Sequence, residues 1–176
     1  MLKIMVLLVL SVFSSKLVAF DLFGVNLIET SRNDMRRAVE GAGLVLIRKD
    51  DTLDFDEYDS SLAFKGASRL YLGFTEQGAR FAFAEYEIVG FRYTRLKQNL
   101  QQKYGLPKIS TGKYISDKTF YWSQEGIEIT LSTDWQNYAT RLSYIAPEAL
   151  AELRKARFVA TQESTRPAIE QASSLY

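Results

Sequence analysis

The residues best suited to chemistry lie in the acidic stretch 49–61, KDDTLDFDEYDSS, which holds six carboxylates between Asp50 and Asp59. Clustered oxygen ligands of this kind can bind calcium. A pair of carboxylates can also act as the acid and the base of a glycoside hydrolase. The third alternative is a solvated connection between two elements, with no chemistry of its own.

The calcium interpretation can be compared with the best-known loop of this type. An EF-hand loop needs an oxygen ligand at its fifth position, Gly at its sixth and Glu at its twelfth. A loop that started at Asp54 would have Tyr58, Asp59 and Lys65 at these positions, so the motif fails. A looser calcium site made from Asp54, Asp56 and Asp59 stays open as an alternative.

The hydrolase interpretation depends on Asp54 and Asp56. In an extended segment they would lie on the same side, roughly 6–7 Å apart, a separation that inverting glycosidases use. A general acid, however, needs a pKa raised by burial, and only Phe55 and Tyr58 could bury it locally. We therefore predict a solvated acidic loop between strands, which would also protect a sheet edge from pairing. We predict no catalytic residue, no metal ligand and no cofactor.

The amino-acid types that are missing exclude several classes of enzyme. The chain has no His and no Cys, which removes Ser-His-Asp and Cys-His catalysis and zinc sites built on these residues. Nucleotide-binding, zinc-protease and serine-hydrolase motifs are also missing. An enzyme would have to work with carboxylates, Lys, Tyr or Ser alone, so we predict a protein that is not an enzyme.

The N-terminus has the organisation of a secretory signal peptide. Lys3 precedes an apolar run of ten residues, 4–13, and Ala19 offers a small residue at a cleavage position. A membrane anchor would need roughly 20 apolar residues. We predict that residues 1–19 are removed, that the mature chain does not insert stably into a membrane, and that it is periplasmic or secreted in a bacterium.

The predicted mature chain is one domain of ordinary size. Loss of the leader removes two lysines and no acid, which leaves 157 residues with a formal net charge of −1. Because nucleic-acid binding requires clustered cations, we predict no nucleic-acid partner. Without Cys the chain can form no disulfide, and its stability must come from its core.

Three helices are predicted. Ser31 and Asp34 form a variant of the capping box, and Gly43 can take the left-handed conformation that ends a helix. The apolar face of this helix is Met35, Ala38, Val39 and Ala42. A second helix is marked by Tyr93, Leu96, Leu100 and Tyr104 and ends at Gly105. A third starts at Pro147 and covers 147–160, before a flexible tail, 161–176.

Strands are predicted at 20–28, 44–48, 68–75, 80–89, 118–123, 127–133 and 138–145. Glu76-Gln77-Gly78 forms the turn of the first hairpin. Strand 80–89 would present Phe81 and Phe83 on one face and Ala82, Ala84, Tyr86 and Ile88 on the other. Because both faces are partly apolar, we predict a central strand.

The order of these elements predicts an α+β fold made of two tandem repeats. Each repeat, about 31–89 and 92–145, is a helix followed by an antiparallel meander, and together they would form a two-layer sandwich. Thr75 and Tyr86 are eleven residues apart, as are Thr133 and Tyr144. The single domain 20–160 would consist of these repeats and the C-terminal helix.

The segment YGLP at Tyr104 to Pro107, followed by the aromatic strand Phe120-Tyr121-Trp122, resembles small bacterial envelope modules. These are the BamE-like and beta-lactamase-inhibitor-like α/β proteins, the latter built from two tandem copies. The resemblance covers residues 31–145 and implies a scaffold, assembly factor or inhibitor. It assigns no functional residue to this chain.

Trp135 is the one aromatic residue that stands out from the predicted core. Most aromatic residues on the strands, among them Tyr71 and Tyr86, would be buried between layers. Trp135 lies in the turn TDWQN between polar neighbours, and an apolar ring there either folds back on the sheet or faces a partner. We predict a contact surface formed by Trp135, Asp134 and Asn137.

Together these features favour an exported envelope protein that acts through protein–protein contacts, as an accessory, assembly or inhibitory factor. Its partner would be another envelope protein. Two alternatives stay open, a small-molecule or glycan-binding module that uses aromatic residues on the sheet face, and a carboxylate-based hydrolase.

Overall fold

A computed structural model describes residues 21–49, 55–75, 80–90, 92–112 and 118–173, with residues 163–173 described for the backbone alone. In this part of the chain the fold is α+β, with three helices and antiparallel strands. The elements are β1 (Asp21–Leu22), β2 (Val25–Asn26), α1 (Arg32–Gly41), β3 (Val45–Arg48), β4 (Phe55–Asp59), β5 (Ala67–Phe74), β6 (Phe81–Val89), α2 (Tyr93–Tyr104), β7 (Lys108–Thr111), β8 (Lys118–Gln124), β9 (Ile127–Asp134), β10 (Ala139–Ile145) and α3 (Pro147–Ser173).

Strands β3 to β10 form one antiparallel sheet of eight strands in the order β3-β4-β5-β6-β10-β9-β8-β7. Four consecutive strands make up each half. The two halves meet at the centre, where Glu85 of β6 pairs with Ser143 of β10. The prediction that strand 80–89 is central is therefore confirmed.

Helix α1 forms where its local signals predict it. Ser31 is the N-cap, and its hydroxyl accepts a hydrogen bond from the backbone N–H of Asp34 at 3.2 Å. Gly43 lies just beyond the helix with φ +86°, a conformation that costs glycine little. Met35 and Val39 of its apolar face are fully buried.

Helix α2 ends at Gly105, which has φ +84° and donates its N–H to the carbonyl of Gln101. The indole N–H of Trp122 donates to the carbonyl of Gly105 at 2.8 Å. Trp122 thus joins the end of α2 to strand β8. Helices α1 and α2 cover one face of the sheet, and the main core lies between. Its largest fully buried side chains include Leu27, Met35, Tyr58, Leu70, Leu72, Phe74, Ile88, Ile127, Ile129 and Leu131.

The prediction of a solvated acidic loop is wrong for the second half of the acidic stretch. Phe55–Asp59 is strand β4, paired with both β3 and β5. Asp56 is 1 % exposed, and its two carboxylate oxygens accept hydrogen bonds from Nε and Nη2 of Arg36 at 2.8 and 2.7 Å. A carboxylate that is paired with a cation can be buried, whereas an isolated one is not tolerated there. Arg36 of α1 therefore allows Asp56 to lie at a buried position of β4.

The predicted alternation along strand 80–89 is also wrong at one end. A register shift where Gly73 and Phe74 pair with Phe83 and Phe81 inserts Ala82 as an extra residue. Phe81 therefore joins the main core together with Ala84, whereas Ala82 and Phe83 pack on the other side. Such a bulge changes the face on which every residue beyond it lies.

Helix α3 lies on the side of the sheet opposite α1 and α2. Ala149 and Leu153 pack against Ala82 and Phe83, and Arg157 lies over the ring of Phe55. The helix bounds are Pro147–Ser173, so its backbone continues through residues 161–173, which the sequence predicts as a flexible tail.

Strand β7 was not predicted, because its sequence KIST is short and all four residues are exposed. Within the segment predicted as a strand at 20–28, Asp21–Leu22 and Val25–Asn26 form the small hairpin of β1 and β2. The predicted leader 1–19 and the turn Glu76-Gln77-Gly78 lie outside the described residues. None of the helices in the described part of the chain is long and apolar enough to cross a membrane.

Candidate contact surface

The turn between β9 and β10 is organised by the side chain of Asp134. Its Oδ1 accepts the backbone N–H groups of Gln136 and Asn137 at 3.1 and 3.2 Å, and its Oδ2 accepts the amide of Asn137 at 2.9 Å. A carboxylate that accepts hydrogen bonds from backbone N–H groups two and three positions further along the chain takes the place of a backbone turn. The sequence TDWQN therefore folds into a defined loop.

Asp134 is connected further to the sheet face opposite α1 and α2, which we call the open face because α3 covers only part of it and leaves Arg141, Glu85 and Glu87 partly exposed. Arg141 donates to Asp134 Oδ2 through Nε and Nη2 at 2.9 and 2.8 Å, and its other terminal nitrogen contacts Glu85. Glu85 also accepts the hydroxyl of Ser143 at 3.1 Å. This network fixes the turn to both central strands and fills the middle of the open sheet face with charged groups.

Three apolar side chains at this end of the sheet are exposed. Trp135 is 51 % exposed and Tyr138 62 % exposed, both in the turn, and Val89 at the end of β6 is 57 % exposed. Val89 pairs with Ala139, the residue after Tyr138, so the three lie at the same end of the central strands. We call Trp135, Tyr138 and Val89 the aromatic tip.

The backbone behind the aromatic tip is held by Thr140, which is fully buried. Its hydroxyl donates to the carbonyl of Gly90 at 2.8 Å and accepts the N–H of Arg92 at 2.9 Å. Gly90 in turn donates its N–H to the carbonyl of Tyr138 at 2.8 Å. The connection from β6 to α2 and the turn that carries the tip therefore share one set of hydrogen bonds.

Tyr138 has a backbone conformation that is unusual for its residue type. Its φ is +49°, in the left-handed region where a residue with a Cβ loses about 1–2 kcal/mol. The hydrogen bonds of Asp134 and Gly90 on either side hold it there. Strain of this kind occurs where the surrounding structure determines the geometry of a site.

The structure brings the three predicted contact residues together, although in different roles. Trp135 is about half exposed, whereas Asp134 and Asn137 bond to each other and support the turn. Sequence reasoning missed Val89 and Tyr138. Tyr138 follows the polar turn directly, and that position was the available signal. Val89 could be placed only by the pairing of β6 with β10.

The other aromatic residues divide between core and surface. Tyr86 and Trp122 are buried in the main core, as predicted, and Tyr71 on the open face packs edge-on against Phe55 at 5.2 Å. Tyr121 lies on β8 and is partly exposed.

The acidic residues considered for metal binding or catalysis do not converge on one site in the described residues. Asp54 lies outside them. Asp56 is bonded to Arg36 on one face of β4, and Asp59 at the end of β4 accepts the backbone N–H of Ser61 at 2.9 Å. The described residues contain no group of three acidic side chains able to hold a metal ion.

The Asp134 hydrogen bonds predict a dependence of stability on pH. The hydrogen bond from the Asn137 side chain and those from Arg141 lower the pKa of Asp134 to about 2, whereas an unfolded Asp has about 3.9. The stabilisation is therefore complete above pH ~4 and is lost as the pH falls from about 4 to 2. Urea melts over this range should show a weaker pH dependence for Asp134→Asn than for the native chain. Equal slopes for the two proteins would contradict this role for Asp134.

No described protein family and no curated protein matches this chain. Among solved structures, the chain is similar to a DUF4309 family protein, YjgB, from Bacillus subtilis subsp. subtilis str. 168. The sequences are 13 % identical, the match covers 73 % of this chain and 87 % of that chain, and the TM-score is 0.46. The resemblance to BamE-like and beta-lactamase-inhibitor-like modules remains a prediction.

Proposed function

We propose that this chain is an exported, non-enzymatic protein of the bacterial envelope that acts through protein–protein contacts. The observation that supports this proposal most directly is the aromatic tip. Aromatic side chains contribute strongly at protein interfaces, because a large ring is buried at a small cost in conformational entropy. An accessory, assembly or inhibitory factor would use such a surface on another envelope protein.

The rigidity of the turn adds to this argument. Five hydrogen-bond donors converge on Asp134, two from the backbone, one from the side chain of Asn137 and two from Arg141. A loop that already has its bound conformation loses little conformational freedom on association. The tip would therefore bind as a preformed surface.

We further propose that the fold is a tandem repeat, in which each copy is a helix followed by a four-stranded meander. Its support is the strand order, in which β3 to β6 and β7 to β10 mirror each other about the central pair. Tyr86 and Tyr144, each eleven residues after a threonine, lie on the two central strands, and burial raises the pKa of both phenols. An experimental structure in which α1 and α2 crossed the sheet in unrelated directions would contradict the repeat.

Export belongs to the same proposal, with residues 1–19 as a cleaved leader. Its support is the order of charged, apolar and small residues in that segment. N-terminal sequencing of the chain isolated from the envelope tests it, and an intact Met1 in a membrane fraction would contradict it.

The aromatic tip is tested by Trp135→Ala. Since the ring is half exposed, we expect the free energy of unfolding to change by less than about 1 kcal/mol, within the usual range for surface changes. Retention of the envelope partner on the immobilised mature chain should fall sharply, because an aromatic hot spot contributes about 2 kcal/mol or more. Denaturant melts and quantitative pull-down with mass spectrometry give the two readouts.

Tyr121→Ala is the matched control, since it removes a partly exposed aromatic ring from the same half of the sheet. It should leave partner retention unchanged. A Trp135→Ala variant that lost more than about 2 kcal/mol of stability, or that retained its partner as well as Tyr121→Ala does, would exclude the tip as the contact surface.

A further inference from the structure

A groove of about 660 Å³ lies between the loop that joins β4 to β5 and the first turns of α2. This volume is within the range of small-molecule sites, about 300–1,000 Å³. The groove is separate from the aromatic tip, since none of its lining residues belongs to the tip. The groove is lined by Phe64, Lys65, Ile88, Arg92, Thr94, Arg95, Leu96 and Asn99.

The polar part of the groove is positively charged. Lys65, Arg92 and Arg95 line it, and there is no carboxylate among the described residues that line it. Within the described part of the chain, none of these three cations forms an ion pair with Asp or Glu. Helix α2 has no side-chain cap and no acid in its first turn, so the partial positive charge of its N-terminus adds to the same field.

The remainder of the groove is apolar. Phe64 is 44 % exposed and packs against Tyr86 with ring centroids 5.8 Å apart. Ile88, from the central strand β6, is buried among the core residues and contributes to the lining, as does Leu96 from α2. The groove therefore places an apolar wall beside a cationic wall.

Arg92, one of the three cations, is held in place by its packing against Gly66 and by two hydrogen bonds. The guanidinium of Arg92 lies so close to Gly66 that a Cβ there would be 3.3 Å from its Nε, and this Nε donates to the carbonyl of Val89 at 3.2 Å. The backbone N–H of Arg92 donates to Thr140 at 2.9 Å.

We propose that the groove binds an amphipathic organic anion, a phosphate or carboxylate head group attached to an apolar chain or ring. The head group is bound by Lys65, Arg92 and Arg95, and the apolar part lies against Phe64 and Leu96. Charge-assisted hydrogen bonds to an anion are the strong kind, and an apolar body gains from the buried area. This site is independent of the contact surface around Trp135.

In the test, isothermal titration calorimetry measures the binding of decyl phosphate to the full mature chain. The ligand is kept below its critical micelle concentration. Inorganic phosphate supplies the head group alone, and decyltrimethylammonium supplies the same tail with the opposite charge. We expect decyl phosphate to bind at least tenfold more tightly than either. Arg95→Gln and Lys65→Gln should each weaken its binding about tenfold, the effect of one charged hydrogen bond.

Arg154→Gln is the control, since it removes an exposed cation from α3 on the other side of the sheet. It should leave the affinity for decyl phosphate unchanged. Phe64→Ser should weaken the binding of decyl phosphate but not that of inorganic phosphate. Binding to vesicles that contain phosphatidic acid, lost in Arg95→Gln, would assign the head group to a lipid. Equal binding of decyl phosphate and decyltrimethylammonium, or an equal loss in Arg154→Gln and Arg95→Gln, would overturn the proposal.

Discussion

Replacement of Arg36 by Met is expected to lower the free energy of unfolding by about 3–5 kcal/mol, the usual loss when one partner of a buried ion pair is removed. Asp56 is 1 % exposed, and both of its oxygens accept hydrogen bonds from Arg36. The variant would take from this buried carboxylate the guanidinium that bonds to both of its oxygens. Fully buried Tyr58 lies beside the pair, and burial raises the pKa of its phenol to about 12, so the side chain stays neutral and does not replace the charge of Arg36. Guanidinium melts measure the loss.

Two further variants make this prediction specific. Arg69→Met breaks the pair between Arg69 and Glu57, which lies on the open face of the same strand at 3.0 Å, and should cost less than about 1 kcal/mol. The double variant Arg36→Met with Asp56→Leu should regain most of the lost stability, because apolar residues of similar volume often replace a buried pair without loss. Equal effects of Arg36→Met and Arg69→Met would show that the burial of Asp56 has no energetic consequence.

The second large effect is expected for Trp122→Ala, at about 3–5 kcal/mol of stability. Trp122 is buried in the main core, and its indole N–H also donates to the carbonyl at the end of α2. Trp122→Phe keeps most of the ring but removes the donor, so it should cost about 1–3 kcal/mol. Circular dichroism follows these melts, because every variant lacks a tryptophan.

Trp135→Ala serves as the reference for this series, since both tryptophans lie in the second half of the sheet. Its stability should stay close to that of the native chain. If Trp122→Ala were as stable as Trp135→Ala, the packing of α2 on β8 would be incorrect.

The elements that local chemistry determines were predicted well. Ser31, Asp34 and Gly43 lie within a few residues of the ends of α1, and their effects do not depend on the remainder of the fold. Pro147 at the first position of α3 is a further example. Such signals are readable in the sequence because both partners of each interaction are neighbours in the chain.

Features that depend on distant partners could not be predicted in this way. Asp56 resembles a loop residue until Arg36, twenty positions away, is placed beside it. The bulge at Ala82 depends on how β5 pairs with β6, and a single extra residue changes the face of Phe81. In both cases the tertiary contact overrides the local pattern.

The same division applies to the candidate sites. Trp135 was predicted to stand out because its polar neighbours Asp134, Gln136 and Asn137 are adjacent in the sequence. The groove was not predicted, since Lys65 and Arg95 are thirty residues apart and meet only when the loop before β5 lies against α2. Cations dispersed around a helix usually lie on its solvated face. No neighbouring residue in the sequence distinguishes Arg95 from such a cation.

The strand order also has a consequence for the order of folding events. Every pairing in the eight-stranded sheet joins consecutive strands except that of β6 with β10. Closing short loops costs less entropy than closing long ones, so each half can form early, and sheets rich in local pairings fold quickly. We therefore expect Glu85 and Ser143, which are joined across a long intervening segment, to pair late. The seam between the halves, where Thr140 holds the turn carrying Trp135 and the start of α2, would then be the last part to become ordered.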